Sequence, residues 1–421
     1  MDKFVIHGGN KLSGSVKVSG AKNSVLALMP AVLLSSGSNK IENVPEVNDV
    51  YTMIKLLNKL GVGSEFNNHE LILNSSNITS YVAPYEHVKK MRASVYVLGP
   101  LVAKFGYAKV SLPGGCAWGP RPINLHLEAL RKLGAEINLD EGYIIAKAPK
   151  LKGARIHFDT SSVGATGNAL MAAVIAKGST LITNAAIEPE ITILSEFLQL
   201  MGARIAGTGT STLEIEGVES LHPASIVNIS DRIEAGTLLI AAAITKSKIN
   251  LAYKTVDHIR AVLSKLEECG INLFINDDLL TIDASDYSPK NVDVTANIYP
   301  GFPTDMQAQW TAFMSLAPGT STITDTIYHD RFSHVSELNR LGARIDVVNN
   351  SAIVKGVNGL KGAQVMSTDL RASASLVIAG LAASGKTEIL RIYHLDRGYQ
   401  RIEEKLSKLG AVIKREKTSE F

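Results

Sequence analysis

One cysteine lies in a loop whose composition indicates chemistry more than packing. Cys116 stands in "LPGGCAWGPRP" (residues 112–122), a segment that follows a strand pattern and contains three glycines and three prolines. A free thiol has a pKa of about 8.5, and a nearby cation lowers it; Arg121 is close enough in sequence to do so. We therefore expect Cys116 to donate a proton or to act as a nucleophile near neutral pH.

The other cysteine of the chain serves as an internal comparison. Cys269 occupies the position before a repeated glycine, where the corresponding residues are leucine or methionine. It is therefore predicted to be a buried apolar residue. Two cysteines supply neither a disulfide framework nor a metal cluster, so we expect no metal and no cofactor.

Charged and polar residues recur at the predicted starts of helices. These residues are Lys22, Asn23, Arg92, Arg121, Glu190, Asp231, Arg260, Asp305, Arg331, Asp369, Arg371 and Arg397. A helix N-terminus favours anions, so cations placed there indicate an anionic ligand between them. Any single cation is more often paired with a nearby carboxylate. The set as a whole favours a ligand that carries several negative charges.

Two of these helix starts also have ordinary structural interpretations. The segment "SSVGATGN" (residues 161–168) could direct the backbone N–H groups of Ser162, Val163 and Gly164 at a phosphate. It could equally be a serine-capped helix start. Asp305, in "PGFPTDMQ" (residues 300–307), could be a general base, but an N-cap is the better interpretation from the sequence alone.

The elements that must position these residues repeat six times. Each repeat ends a helical run on an apolar residue and a glycine, and a short strand follows; the glycines are Gly61, Gly134, Gly202, Gly270, Gly342 and Gly410. Subtraction gives spacings of 73, 68, 68, 72 and 68 residues, which predict an array of one structural unit. The first helix of each unit is apolar nearly all round and is expected to be buried, whereas the second is amphipathic.

Composition narrows the class of protein. With 421 residues, 45% of them hydrophobic, the chain can form a large core. Its net charge of +3 does not indicate a nucleic-acid surface, and no apolar run reaches the roughly 20 residues of a membrane helix. The N-terminal residues do not have the pattern of a secretory signal, so a cytoplasmic protein is expected. Three repeats on each side of about residue 229 predict two similar α/β domains.

Seven motifs together resemble those of the enolpyruvyl transferase family, most closely its branch that acts on a UDP-sugar. They are "SGAKNS" (19–24), "PGGCAWGPRP" (113–122), "SVGAT" (162–166), "FPTD" (302–305), "RF" (331–332), "DLRA" (369–372) and "LDRGY" (395–399). The resemblance covers essentially the whole chain. It implies two inside-out α/β barrel domains of three repeats each, with the active site in the interdomain cleft. Residues 22–229 would form the first domain, and residues 1–21 and 230–421 the second.

The resemblance also implies a reaction and roles for its residues. The enolpyruvyl group of phosphoenolpyruvate would pass to the 3′-hydroxyl of UDP-N-acetylglucosamine with release of phosphate, the first committed step of peptidoglycan synthesis. Cys116 would be the general acid and the target of fosfomycin, and Asp305 would accept the hydroxyl proton. Lys22 and Arg397 would complete the catalytic set. The other substrate contacts would be Asn23, Arg92, Arg121, Pro122, Ile123, Asn124, Leu125, Ser162, Val163, Gly164, Ile327, Arg331, Asp369 and Arg371.

Some positions depart from the common pattern of that family. Asn124 replaces an aspartate, and His329 and Asp330 replace "EN". Thr160 and Ser161 replace a Lys-Val or proline-containing pair, and the missing lysine puts one contact of the diphosphate in doubt. Three other functions stay open. One is the sister branch that makes 5-enolpyruvylshikimate-3-phosphate, although its motif "GNAGTAMR" is absent here. The others are a non-catalytic repeat scaffold and a folded but slow paralogue.

Overall fold

The computed structural model describes residues 1–89, 91–112 and 123–419. The strands are β1 Asp2–His7, β2 Ser15–Lys17, β3 Ser38–Glu42, β4 Gly63–Asn67, β5 Glu70–Asn74, β6 Val82–Ala83, β7 Tyr107–Ser111, β8 Glu136–Asp140, β9 Tyr143–Lys147, β10 Arg155–His157, β11 Ser179–Thr183, β12 Arg204–Ala206, β13 Thr212–Glu216, β14 Ser225–Val227, β15 Lys248–Ala252, β16 Asn272–Asn276, β17 Leu279–Asp283, β18 Val294–Ala296, β19 Thr320–Asp325, β20 Arg344–Val348, β21 Ser351–Lys355, β22 Gln364–Met366, β23 Lys386–Leu390 and β24 Val412–Lys417.

Helices alternate with these strands. The α-helices are α1 Lys22–Ala31, α2 Asn48–Leu60, α3 Tyr85–Val88, α4 Leu98–Phe105, α5 Asn124–Lys132, α6 Val163–Ala173, α7 Pro189–Leu200, α8 Arg232–Ile244, α9 Arg260–Glu268, α10 Gln307–Met314, α11 His334–Arg340, α12 Leu370–Ala382 and α13 Ile402–Lys408. Short 3₁₀ helices span Val32–Leu34, Arg92–Val97, Val256–Ile259, Thr304–Met306 and Ile392–Arg397. Within the described ranges, no helix is long and apolar enough to cross a bilayer.

The chain divides into two compact units, each with a separate hydrophobic core. The first unit is Gly20–Ile229, and the second unit joins Met1–Ser19 to Ser230–Phe421. In the first unit, helices α1, α4 and α6 pack into a core that also includes residues of α2, α5 and α7. In the second unit, α8, α10 and α12 take the corresponding places. This is the mixed α/β repeat architecture that the sequence predicts.

Within the part of the chain that the structure describes, one sheet pattern recurs three times in each unit. Each sheet has four strands, with one parallel pair followed by two antiparallel pairs, as in β10-β11-β13-β12 and β18-β19-β21-β20. In the first unit the late strand β14 pairs in parallel with β3, and so completes the sheet of the first repeat. In the second unit β1 lies between β23 and β24, and β2 pairs with β15.

The helices follow the polarity of their sequences. Every residue of α10 is buried, and nearly every residue of α6 and α8 is buried, because most residues on all sides of these helices are apolar or small. The six repeat glycines all have left-handed backbone conformations, with φ between +91° and +104°. Glycine adopts this conformation without the cost that a Cβ would impose. The prediction that these helices are buried is confirmed.

Two expectations about individual residues have different outcomes. Cys269 is fully buried, and burial raises the pKa of its thiol to about 12, so its prediction as an apolar core residue is confirmed. The expected helix starts near Arg331 and Arg397 are wrong. Helix α11 begins at His334, and Arg397 is the last residue of a 3₁₀ helix, with α13 beginning only at Ile402. The left-handed backbone at Arg401 separates these two helices.

Candidate active site

In the second unit, one carboxylate holds two buried arginines. Oδ1 of Asp305 accepts from Nη2 of Arg331 at 2.8 Å, and Oδ2 accepts from Nη2 of Arg371 at 2.9 Å. The arginine side chains are only 8% and 4% exposed, whereas that of Asp305 is 26% exposed. The carboxylate is therefore the part of this cluster that a ligand can reach. The N-cap interpretation of Asp305 is wrong, because the N-cap of its 3₁₀ helix is Pro303 and makes no side-chain cap bond.

A second layer of polar groups holds Arg331. Nη1 of Arg331 donates to Oγ1 of Thr304 at 2.9 Å, and that hydroxyl donates to Oδ2 of Asp325 at 2.6 Å. The other oxygen of Asp325 accepts from the backbone N–H of Ile327 at 2.9 Å. Asp325 is the buried last residue of β19. Strand β19 thus fixes both the guanidinium of Arg331 and the turn that carries Ile327.

A buried polar network also lies behind Arg371. The guanidinium of Arg371 is 5.3 Å from the centre of the Tyr399 ring, within the range of a cation–π contact. The Tyr399 hydroxyl is 2.8 Å from Oγ1 of Thr237 and accepts from Nε2 of Gln309 at 3.3 Å. The same Nε2 donates to the carbonyl of Asp305 at 2.9 Å. Three helices, α8, α10 and α12, therefore set the relative position of Arg371 and Asp305.

Asp369 fixes the beginning of α12. Its Oδ1 accepts from the backbone N–H groups of Arg371 at 2.8 Å and Ala372 at 3.1 Å, which is a regular N-cap. The charges of Asp369 and Arg397 both act on His394, although burial is the main cause of the lowered pKa of that histidine. Asp369, Arg371 and Arg397 are thus brought to one region of the second unit. Arg397 is half-buried.

Burial and charge together determine the ionisation of this cluster. Burial lowers the pKa of Arg331, but the carboxylates of Asp305 and Asp369 more than offset this, so its pKa is raised. The pKa of Arg371 is also raised: burial lowers it, and Asp305 again outweighs that effect. Both guanidinium groups therefore stay positively charged. Burial, with the charge of Arg331, lowers the pKa of His334 to about 3, so this histidine is neutral at pH 7.

In the first unit, Lys22 is buried at the start of α1. Its Nζ is 3.1 Å from Oδ2 of Asp49, which lies in the first turn of α2 and is itself buried. Asn23, the next residue of α1, is exposed. The structure thus pairs Lys22 with a carboxylate, as it does Arg331 and Arg371. For each of these three cations the simple pairing interpretation is the one observed.

The segment at the start of α6 packs around a neutral histidine. Ser162 caps α6, its Oγ accepting from the N–H of Ala165 at 3.3 Å, so the serine-cap interpretation is confirmed. A Cβ on Gly164 would lie 2.8 Å from the ring of His126, which explains the glycine. Burial, and then the charge of Arg92, lowers the pKa of His126 to about 3. Nδ1 of His126 is 2.9 Å from Nδ2 of Asn168.

The remaining predicted residues of the first unit have simple placements. Arg92 begins a 3₁₀ helix and is half-buried, as is Val163, the first residue of α6. Ile123 and Leu125 are half-buried and Asn124 is exposed, at the start of α5. Of the departures from the family pattern, Thr160 and Asp330 are exposed. Cys116, Arg121 and Pro122 lie outside the described residues. Within the described ranges, no group of three or more His, Cys, Asp or Glu residues could hold a metal ion.

The family of the chain follows from comparing its sequence with models of protein families. A family model described as EPSP synthase (3-phosphoshikimate 1-carboxyvinyltransferase) matches residues 6–406. The chain belongs to this family of enolpyruvyl transferases. A relative from Chloroherpeton thalassium named UDP-N-acetylglucosamine 1-carboxyvinyltransferase is 58% identical over all of this chain and 99% of its own. A protein of the same name from Prosthecochloris aestuarii is 57% identical over both full lengths.

Solved structures of the family agree with the fold. The enolpyruvyl transferase NikO from Streptomyces tendae superposes with a TM-score of 0.90, at 27% identity and with 99% of each chain covered. EPSP synthase from Acinetobacter baumannii superposes with a TM-score of 0.74 over 99% of this chain, at 19% identity. The predicted fold class, two inside-out α/β barrels of the enolpyruvyl transferases, is confirmed.

Several residues that hold the site were missed by the sequence reasoning. Asp49, Asp325 and Gln309 look like ordinary polar residues of helices and strands, and no local pattern distinguishes them. Their partners are 27, 21 and 90 residues away in the chain. Tyr399 is the last residue of the motif "LDRGY", which marks it as a residue of interest. The motif alone does not predict that its ring contacts Arg371.

Proposed function

We propose that this chain transfers the enolpyruvyl group of phosphoenolpyruvate to the 3′-hydroxyl of UDP-N-acetylglucosamine and releases phosphate. The observation that carries the proposal is the 58% identity, over the full length, to a relative named for that reaction. Seven further relatives of 55% to 57% identity have the same name. The EPSP synthases with solved structures are 19% identical, which supports the UDP-sugar as acceptor over a shikimate.

The first half of the reaction is an addition. The sugar hydroxyl oxygen forms a bond to C2 of phosphoenolpyruvate, and C3 gains a proton, which gives a tetrahedral ketal. Asp305 accepts the hydroxyl proton in this proposal, and its geometry is suitable. The side chain of Asp305 is 26% exposed, so a substrate hydroxyl can approach its carboxylate. A hydroxyl that reaches Asp305 can therefore donate to it.

The second half is an elimination. The bond from C2 to the phosphate oxygen breaks, phosphate leaves, and C3 loses a proton to restore the enol ether. Negative charge grows on the departing phosphate, and fixed cations stabilise such charge best because they need no reorganisation. We assign this role to Lys22, Arg121 and Arg397, and we assign Arg92, Arg331 and Arg371 to substrate binding. Cys116 is assigned to the preceding addition, as the acid that supplies the proton gained by C3.

The sugar nucleotide is assigned to the other predicted residues. Asn23 and Asp305 would hold the sugar, and residues 121–125 with Ser162, Val163 and Gly164 would hold the uridine and diphosphate. The backbone N–H groups of Val163 and Gly164 belong to the first turn of α6, where such groups favour an anion. In a cell the product would enter peptidoglycan synthesis in the cytoplasm, and so support cell shape and division. Fosfomycin would alkylate Cys116.

The decisive experiment measures phosphate release with phosphoenolpyruvate and each of two acceptors. We expect release with UDP-N-acetylglucosamine and none with shikimate-3-phosphate, and we expect fosfomycin to abolish it. Release with shikimate-3-phosphate alone would favour the sister branch. No release with either acceptor, from folded protein, would revive a non-catalytic scaffold.

Variants of the cysteine test the assigned acid. Cys116→Ala is expected to abolish turnover while UDP-N-acetylglucosamine still binds, and Cys269→Ala serves as the matched control because that thiol is buried in the core. Cys116→Asp is expected to keep some activity and to resist fosfomycin, since a carboxylic acid also donates a proton. Phosphate release by Cys116→Ala at the unsubstituted rate would remove Cys116 from the mechanism.

A further inference from the structure

The segment that carries Arg397 is anchored by apolar packing on its inner side. Ile392 and Leu395, in the same 3₁₀ helix, are buried in the core of the second unit. Gly398 lies so close to Leu370 that a Cβ on it would be 2.7 Å from the leucine side chain. These contacts hold the segment against the start of α12. These apolar contacts position the residues around Arg397, but they do not involve the Arg397 side chain itself.

An arginine of β24 holds the same segment from the other side. Nη2 and Nη1 of Arg415 donate to the two carboxylate oxygens of Asp396, at 2.6 and 3.0 Å. Its Nε donates to Oε1 of Glu403 at 2.7 Å. Asp396 directly precedes Arg397, and Glu403 lies in the first turn of α13. One guanidinium group thus joins the residue before Arg397 to the helix that follows it.

Arg415 is itself held firmly by the sheet. It is paired with Phe4 across β1 and β24, and its guanidinium is 5.1 Å from the centre of that ring. Phe4 is fully buried. The hydrogen bond to Asp396 is the first cause of a raised pKa at Arg415. The guanidinium therefore keeps its charge and its orientation.

We propose that Arg415 is a positioning residue that aims Arg397 at the bound substrate. The inference rests on the proposed function, in which Arg397 binds phosphoenolpyruvate. A bidentate arginine–carboxylate pair fixes direction as well as charge, because both N–H groups must meet both oxygens. It thereby fixes Asp396 and the backbone that leads into Arg397. A displacement of about 1 Å in such a positioning group can cost about a hundredfold in rate.

The cluster differs from an ordinary surface ion pair. Exposed pairs contribute little to stability, since solvent screens them. Arg204 and Glu216 form such a pair on strands β12 and β13, with side chains 67% and 60% exposed. The Arg415 side chain is 29% exposed and meets three carboxylates, those of Asp396, Glu403 and Asp2. Arg204→Met is therefore the matched control for the loss of a strand arginine.

The test separates positioning from folding by measuring the two substrates independently. We expect Arg415→Met to raise KM for phosphoenolpyruvate about tenfold or more and to leave the affinity for UDP-N-acetylglucosamine, measured by calorimetry, changed by less than about twofold. Asp396→Asn should behave alike, and the double variant should be no worse than Arg415→Met, because the two residues act as one unit. Arg415→Lys should not restore KM, since lysine cannot form the fork.

Each outcome bears on the proposal. If Arg415→Lys restores KM, charge alone matters and positioning is wrong; additive effects in the double variant would overturn it too. If Arg415→Met does not fold, the near-isosteric Asp396→Asn decides by the same measurements. If the unsubstituted protein releases phosphate and these variants keep its KM for phosphoenolpyruvate, this inference is wrong and the proposed function stands. No release by the unsubstituted protein would overturn the proposed function and this inference with it.

Discussion

At the scale of single residues, Asp305 serves two purposes at once. Its carboxylate pairs with two buried guanidinium groups, and the same oxygens are the reachable part of the cluster. Asn has nearly the same shape as Asp, but its amide oxygen can accept from only one of the two arginines, and the side chain cannot accept a proton. We therefore expect Asp305→Asn to lower the rate of phosphate release by about 10² to 10⁴, the range of a general base.

The matched control for this substitution is Asp283→Asn. Asp283 also pairs with a cation of the second unit, Lys248 at 2.8 Å, but it lies at the end of β17 and has no assigned role. Its variant should keep the unsubstituted rate. If Asp305→Asn releases phosphate at more than half that rate, Asp305 is not the proton acceptor.

His126 should make the stability of the first unit depend on pH. Its folded pKa is about 3, whereas an unfolded histidine has a pKa of about 6.5. Below pH 6.5 the unfolded chain binds a proton that the folded chain does not, so stability falls as the pH falls from about 6.5 towards 3. Between pH 7.5 and 5.5 this costs about 1.4 kcal/mol.

Urea unfolding of the protein at these two pH values, followed by circular dichroism, checks the effect. In His126→Gln the free energy of unfolding should fall by about 1.4 kcal/mol less between pH 7.5 and 5.5 than in the unsubstituted protein. His7→Gln, which removes a histidine from the exposed end of β1, is the control. Equal pH dependence in His126→Gln and the unsubstituted protein would contradict a neutral buried His126.

At the scale of elements, the repeat glycines allow a clean comparison of backbone strain. Gly342 has φ +94°, and a Cβ added to it would meet nothing within 4 Å, so a substitution there tests conformation without any clash. Gly359 has equally open surroundings, and its φ lies outside the left-handed range. We expect Gly342→Ala to destabilise the second unit by about 1–2 kcal/mol and Gly359→Ala to have almost no effect.

Denaturant unfolding measures both variants, and a third refines the argument. Gly342→Asn should cost less than Gly342→Ala, because asparagine tolerates the left-handed region better than alanine does. The same cost for Gly342→Ala and Gly359→Ala would mean that the left-handed conformation does not explain the repeated glycine.

The elements were predictable because each depends on contacts close in sequence. A helix apolar on all sides, such as α6 or α8, has to be buried, and a glycine at the end of a helix has a local conformational reason. The predicted starts of α11 and α13 are too early, because a charged residue can precede a helix as well as begin it. In the structure, both arginines lie before those helices: Arg331 precedes α11, and Arg397 ends the 3₁₀ helix that precedes α13.

The site was less predictable, because its supporting contacts are long-range. The residues that carry charge, such as Lys22, Asp305 and Arg371, could be named from their types and from the family motifs. What each of them touches depends on the packing of helices that are far apart in the chain. Asp305 shows the difference most clearly, since its local sequence favours a helix cap and its tertiary contacts are two arginines.

At the scale of the whole molecule, the second unit depends on residues from both ends of the chain. Strand β1 is an inner strand of its sheet, paired with β24 through six residues and with β23 through four. Phe4 and Ile6 of β1 are fully buried in the core. Without residues 1–19 the sheet would lose an inner strand, and two strands would have unpaired edges. The first unit, by contrast, is continuous in sequence from Gly20 to Ile229.

These facts predict opposite behaviour for two fragments. Residues 20–229 should fold alone and unfold cooperatively in urea, because their sheets and core are complete. Residues 230–421 alone should not fold, since the backbone groups that pair with β1 would lack partners and apolar side chains would be exposed to solvent.

Adding a peptide of residues 1–19 to residues 230–421 at an equimolar ratio should restore the circular dichroism and the cooperative unfolding. A peptide with Phe4→Ser and Ile6→Ser, which keeps the backbone but not the buried side chains, should fail to do so. Cooperative folding of residues 230–421 without any peptide would contradict the structural role assigned to β1.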